Sequence, residues 1–321
     1  MTAPSPAAGP PPVPASALPP ALEAVHVARW YGNVVAVNDV SFDVGPGVTG
    51  LLGPNGAGKT TVLHMLAGLL RPSSGEVRVE GRAAWHNAAM YRRIGLLPER
   101  DTGYFFMTGF QFVRLSAQLE GLGDPDAAAR RALATVALED AADRALGGYS
   151  RGMRQRARLA AALVHDPPIL LLDEPFNGLD PRQRLEMTDL LHAMAAEGRV
   201  ILFSSHILEE VERLADRVLV MVAGRLAASG GFRDIRRLMT DRPHTFTVRS
   251  SDDRALAAAL LRDGLVSGAQ LDGGALEVRA ADYGAFTRVV ARVAQATGAT
   301  LFEIRPTDES LESVFSYLVA Q

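Results

Sequence analysis

The chain has no cysteine and only one lysine. The first absence removes disulfides, thiolate metal sites and cysteine nucleophiles together, and it is compatible with a reducing compartment. The second is more pointed: Lys and Arg together number 33, and all but one of them are arginine. Excess positive charge is also missing. The formal net charge of −3 offers no global attraction to nucleic acid or anionic lipid, so no nucleic-acid partner is expected. No stretch of 18 apolar residues runs without a charge, which predicts no membrane span and leaves any membrane role to a partner. Residues 1–20 hold eight prolines among alanine and serine, with neither the basic start nor the apolar core of a signal peptide; they read as a disordered arm.

A bias toward arginine explains the missing lysines. The remaining one, Lys59, closes the run Gly53-Pro54-Asn55-Gly56-Ala57-Gly58-Lys59-Thr60, which matches Gly-x-x-x-x-Gly-Lys-[Ser/Thr] at every fixed position. The chemistry requires that spacing. A glycine-rich turn points successive backbone N–H groups at phosphate oxygens, the ammonium reaches the β- and γ-phosphates, and the threonine hydroxyl ligates Mg²⁺. An apolar run, Val48 to Leu52, precedes the loop, and a helix over Thr60 to Leu70, with Thr61 in its first turn, is expected to follow. Its N-terminal dipole favours an anion. These residues predict a nucleoside triphosphatase.

The 321 residues suffice for one or two domains. Val40, Phe42 and Val44 alternate against Ser41 and Asp43 in a segment, Ala24 to Val44, that reads as a small antiparallel sheet. Continuous apolar runs at 48–52, 94–97, 169–172, 200–203 and 218–222 alternate with helical stretches, as in a mostly parallel sheet covered on both faces. Residues 101–165 interrupt that rhythm with a helical subdomain, in which Thr108 and Gln111 form a capping box and Asp124-Pro125 opens another helix. The expected domains are an ATPase core at 21–240 and an α+β accessory domain at 244–321. Beyond the basic run Arg233 to Arg237, the accessory domain reads β-α-β-β-α-β, the ferredoxin-like order, with a last helix at Asp308 to Leu318.

Three further clusters carry chemistry. The buried run Ile169 to Leu172 delivers Asp173 and Glu174 to the sheet edge where ligands bind: Asp173 as the metal-side group with Thr60, Glu174 as general base. His206 follows the next apolar strand, one β-α unit after Glu174, beside the expected γ-phosphate. In Tyr149-Ser150-Arg151-Gly152-Met153, a serine N-cap and a glycine open a helix, a second anion site with no second phosphate loop to serve. That surplus predicts a dimer.

Taken in order, these landmarks resemble the nucleotide-binding subunits of ATP-binding cassette (ABC) transporters across residues 22–240. The resemblance implies an α/β P-loop core with ATP and Mg²⁺ as cofactors. It makes Tyr31, or the adjoining Trp30, the ring that stacks on adenine, Gly53 to Thr60 the Walker A loop and Ser150 to Met153 the signature. It makes Asp173 and Glu174 the Walker B pair, Asn177 to Asp180 the D-loop and His206 the switch histidine. The implied nucleotide contacts are Tyr31, the loop residues with Thr61, Ser150, Gly152 and Asp180. Lys59, Glu174 and His206 are the catalytic set; Thr60, Glu99 and Asp173 form the metal set. Two motifs depart from the family pattern: where members usually have Leu-Ser-Gly-Gly-Gln this chain has Tyr149-Ser150-Arg151-Gly152-Met153, keeping the serine and one glycine, and Glu99 stands where most members have glutamine.

Both departures resemble a branch that pairs with separate, short membrane subunits, mostly exporters. The implied assembly is a homodimer, or a heterodimer with a similar subunit, on the cytoplasmic face of the membrane beside a multi-span permease. Tyr104 to Met107 leads toward the groove where such a permease docks, or else belongs to the helical core. A soluble ABC-type ATPase acting on DNA or ribosomes is the second reading, but its usual coiled-coil insertions or paired cassettes are not here. A GTPase of the common kind needs an Asn-Lys-x-Asp motif, which a chain with one lysine in its phosphate loop cannot supply.

Overall fold

The computed structural model describes residues 20–100, 104–231, 244–264, 266–272 and 275–306. The expected Pro-rich arm through residue 19, the basic run Arg233 to Arg237 and the expected helix Asp308 to Leu318 lie outside them. The chain begins with β1 (Leu22–Tyr31) and β2 (Val34–Val44), then β3 (Gly47–Leu52) and α1 (Lys59–Leu66), which flank the phosphate loop. Next come β4 (Ser74–Val79), β5 (Arg82–Ala83), α2 (Ala88–Tyr91) and β6 (Ile94–Leu97). The helical stretch holds α3 (Gly109–Leu119), α4 (Pro125–Thr135) and α5 (Arg151–Leu163). After it run β7 (Ile169–Asp173), α6 (Pro181–Ala196), β8 (Val200–Ser205), α7 (Leu208–Leu214), β9 (Arg217–Val222) and β10 (Arg225–Gly230). The last group is β11 (His244–Ser250), α8 (Asp253–Arg262), β12 (Gly268–Asp272), β13 (Ala275–Ala280), α9 (Tyr283–Thr297) and β14 (Leu301–Pro306).

The five expected apolar runs form one sheet in the order β10-β9-β3-β8-β7-β6, parallel except for the edge strand β10. Alternation within a continuous apolar run divides the strands between two cores. Leu170 and Leu172 of β7 join the core beneath the helical subdomain, whereas Ile169 and Leu171 join the core that holds α1 and the antiparallel sheet. Each such fully buried Leu or Ile contributes about 1.5–3 kcal/mol.

The antiparallel sheet has the order β2-β1-β4-β5, with Leu22 opposite Val44 and Tyr31 opposite Val34. Strands β4, β5 and β10, not anticipated from the sequence, are the polar or short ones: β10 carries only half-buried or exposed residues, so no apolar run marks it. Helix α1 also ends earlier than the expected Leu70. Gly68 adopts a left-handed φ of 69°, and the N–H groups of Leu69 and Leu70 turn back to the His64 carbonyl, which closes the helix.

In the helical stretch, the Thr108 side chain accepts from the Gln111 N–H at 3.1 Å and Gln111 Oε1 accepts from the Thr108 N–H at 2.9 Å, the anticipated capping box. Strands β11 to β14 form a separate antiparallel sheet in the order β12-β13-β11-β14, the arrangement of a β-α-β-β-α-β unit. Phe246, Val248, Leu256, Leu276, Val278, Phe286 and Val290 make its own core. Among the described residues, no helix is long and apolar enough to cross a membrane.

Candidate nucleotide site

Parallel strands place their carboxyl ends on one edge, and four of them carry the relevant residues there. The phosphate loop leaves β3, Glu99 follows β6, Asp173 ends β7 with Glu174 just after it, and His206 follows β8. The register sets Leu52 beside Ser205 and Asp173 beside Ser204.

Backbone geometry fixes the loop. Gly58 sits at φ 98°, where a Cβ would come within 2.4 Å of the Ala36 carbonyl oxygen, so a side chain is excluded on both conformation and space. Helix α1 then begins at Lys59 with no side-chain cap, which leaves its first N–H groups available to an anion. Lys59 is buried, and its Nζ donates to the carbonyls of Gly53 at 2.8 Å and Pro54 at 3.4 Å. Asn55, Gly56, Ala57, Gly58, Lys59, Thr60 and Thr61 line a cavity of about 400 Å³ together with Ala36, Glu99 and Glu174. That volume suits a small-molecule ligand.

The two neighbouring acids have different surroundings. Glu174, with φ 49°, turns its carboxylate toward the cavity: Oε1 lies 3.4 Å from Lys59 Nζ, and Oε2 lies 2.9 Å from His206 Nδ1. Asp173 is fully buried. Its Oδ1 accepts from Ser204 Oγ at 2.5 Å, while its Oδ2 is buried without a hydrogen-bond partner. Such an atom is costly to bury unless something else engages it. A hydrated cation would satisfy that requirement, and on this unpartnered oxygen the residues fit Mg²⁺. Among the described residues no group of three His, Asp or Glu side chains could hold a metal by themselves.

Ser204 is the residue whose part in the site sequence reasoning missed. Besides donating to Asp173, its Oγ accepts from the Glu174 N–H at 2.9 Å, so one hydroxyl holds both acids. The apolar run and the adjacent histidine drew attention to this strand end, but nothing local shows which way a serine hydroxyl turns. Ser205, next to it, donates to Glu210 Oε2 at 2.5 Å, and Arg184 lies 3.0 Å from Glu210 Oε1. Burial pushes the Glu210 carboxyl above the usual range, against the lowering influence of Ser205 and Arg184.

Six expected nucleotide contacts do not line this cavity: Gly53 and Pro54, whose carbonyls accept from Lys59, and Tyr31, Ser150, Gly152 and Asp180. Tyr31 is exposed at the end of β1, with the Arg29 guanidinium 4.6 Å from its ring. Ser150 caps α5 by accepting from the Met153 N–H at 3.2 Å. Gly152 is packed so closely that a Cβ would lie 2.2 Å from Gln183 Oε1, and Asp180 caps α6 by accepting from the Gln183 N–H at 2.9 Å. The signature helix and the D-loop helix therefore meet through Gln183. Their outer ends are open to solvent.

A glycine-rich loop between a strand and a helix, its lysine against a carboxylate from another parallel strand, defines a P-loop nucleoside triphosphatase. Residues 37–177 match the family model described as ABC transporter. Over 303 residues, 93% of this chain and 96% of the other, it is 32% identical to the bacitracin transport ATP-binding protein BcrA of Enterococcus faecalis. It is 38% identical to the uncharacterized ABC transporter ATP-binding protein YxlF of Bacillus subtilis over 70% of this chain and 75% of that one. It is 41% identical to the Nod factor export ATP-binding protein I of Burkholderia orbicola, over 64% and 69%. A solved ATP-binding subunit of an ABC transporter superposes with a TM-score of 0.61 at 31% identity, covering 68% of this chain and 92% of that chain. The chain belongs to the ATP-binding subunits of ABC transporters, and it is an ATPase.

Proposed function

We propose that this subunit powers an exporter: two copies, or one copy and a similar subunit, close around two ATP molecules and drive a separate multi-span permease from the cytoplasmic face of the membrane. The observation that carries the chemistry is Glu174 between Lys59 and His206 at the phosphate-loop cavity. In this reading Glu174 takes the proton of the attacking water, and His206 orients the carboxylate and faces the γ-phosphate. Lys59 exchanges its loop carbonyls for phosphate oxygens when ATP enters. Thr60, Asp173 and Glu99 hold Mg²⁺, which when bound neutralises phosphate charge. Tyr31 stacks on adenine. Ser150, Gly152 and Asp180, absent from their own chain's cavity, serve the partner's nucleotide.

The docking surface for the permease is the apolar groove lined by Tyr91, Ile94, Leu96, Tyr104, Phe112 and Leu119. Its neighbour Phe106 is 81% exposed, which argues against the helical-core role for that aromatic cluster. An amphipathic helix from the permease is the occupant that suits an apolar trough of this kind. Export is the direction because a Nod factor export protein is among the relatives. Affinity purification of the tagged chain from native membranes is expected to bring down a multi-span protein in ATP-sensitive association. Recovery with ribosomes or DNA instead would overturn the transporter reading.

A further inference from the structure

Glu99 reaches the nucleotide cavity from beyond the end of β6, where no strand pairing orients it. The group that does so comes from α5. The Arg158 guanidinium donates through Nη2 to the carbonyls of both Pro98 and Arg100, the second at 2.8 Å, and through Nη1 to Gln155 Oε1 at 2.8 Å. The carbonyls it holds flank Glu99 on either side. Gln155, 5% exposed, spends its own Nε2 on the Pro175 carbonyl at 2.9 Å, one residue beyond Glu174. A single turn of α5 thus grips the backbone next to both cavity-facing carboxylates. Ser150 caps the same helix about 12 Å away at the helical rise per residue.

We propose that Arg158 is a positioning residue for Glu99: its planar fork fixes the backbone on both sides of that residue, so the carboxylate is presented to the cation of the nucleotide site. This inference rests on the reading of Glu99 as a metal-side group. A rigid, pre-oriented donor set on one guanidinium suits the task, because two carbonyls at fixed separation define the direction of the segment between them. The link also has a consequence for the signature end of α5. A rotation of that helix on meeting the partner's nucleotide would carry the Glu99 segment with it.

The test is equilibrium binding of a fluorescent ATP analogue, titrated with Mg²⁺, in the full chain and in Glu99→Ala, Arg158→Met, Arg158→Lys and the double variant Glu99→Ala/Arg158→Met. Metal-free binding of the analogue is expected to stay at the wild-type level in Arg158→Met and Arg158→Lys, and in every variant it is the baseline from which the Mg²⁺ midpoint is read. The Mg²⁺ midpoint is expected to rise on the order of tenfold in Glu99→Ala and in Arg158→Met, as for loss of a group that orients a metal ligand. It should rise less in Arg158→Lys, whose ammonium still reaches one carbonyl, and no further in the double variant than in Glu99→Ala. A wild-type midpoint in Arg158→Met beside a raised one in Glu99→Ala overturns the positioning role and leaves the reading of Glu99 standing. An unchanged midpoint in Glu99→Ala removes that reading and the proposal with it. Additive shifts in the double variant also overturn the proposal. If Arg158→Met does not fold, Arg158→Lys carries the same comparison.

Discussion

Glu174 bridges Lys59 and His206, with one carboxylate oxygen 3.4 Å from the ammonium and the other 2.9 Å from the imidazole Nδ1. The three side chains come from three separate elements, yet one carboxylate of the cavity lining holds them together. Replacement by the isosteric amide keeps a group that can accept from either neighbour but cannot take a proton from water. Glu174→Gln is therefore expected to bind ATP, to lose about 10²–10⁴-fold in turnover, and to accumulate as an ATP-bound dimer. Steady-state hydrolysis and size-exclusion chromatography with ATP read these effects. Wild-type turnover would remove Glu174 as the base.

Lys59→Ala is expected to weaken ATP binding roughly tenfold or more, since a charge-assisted hydrogen bond to phosphate contributes about 1.5–3 kcal/mol. The loss also leaves Glu174 without its nearby cation. Fluorescent-analogue binding measures the first effect. Full ATPase activity in this variant would sink the assignment of the phosphate loop.

Ser204→Ala removes the hydroxyl shared by the Asp173 carboxylate and the Glu174 N–H, both of them buried. Leaving such groups unsatisfied costs about 1–3 kcal/mol, so the variant should melt at lower temperature. Its turnover should fall as well, because both acids lose a support. A melting curve and activity that match wild type would show that the hydroxyl holds neither.

Gly152→Ala tests the contact between the signature helix and the D-loop helix. The added methyl meets the end of Gln183, which also accepts from the Asp180 N–H at 3.3 Å. Gln183 can swing away, but only by giving up its part of the capping box. The expected cost is about 1 kcal/mol of stability, read by denaturant unfolding. An equal loss in a Gln183→Ala background would contradict this route.

Glu210 supplies a pH dependence with a definite sign. Its folded-state carboxyl is raised by burial, so the folded chain holds this proton at pH values where the unfolded chain has released it. Relative stability is then greatest below the ordinary glutamate value and declines as pH rises through the raised one. Glu210→Gln removes the titration while keeping an acceptor for Ser205. The melting temperature of wild type relative to this variant should therefore fall with increasing pH across that window, and a constant difference would refute it.

Much of this was legible in the chain. The five apolar runs were readable because a strand buried on both faces must be apolar at every position, as Ile169 to Leu172 are. The phosphate loop was readable because its chemistry demands glycine, lysine and threonine at fixed spacing. Strand β10 was not, since an edge strand with half-exposed residues leaves no periodic trace. Nor was the extent of α1, which a left-handed glycine cut short.

The lysine-poor sequence by itself determined the class of chemistry: the loop around Lys59, the paired acids and the strand order of elements are local patterns with local causes. Which groups meet is a different kind of fact. That Glu174 faces Lys59 and His206 while Asp173 turns to Ser204, that Arg158 holds the segment around Glu99, and that Gly152 touches Gln183 follow from strand register and helix packing. Those are set by contacts between residues far apart in the chain, and only the folded sheet, with its parallel ends gathered on one edge, brings them within hydrogen-bonding reach.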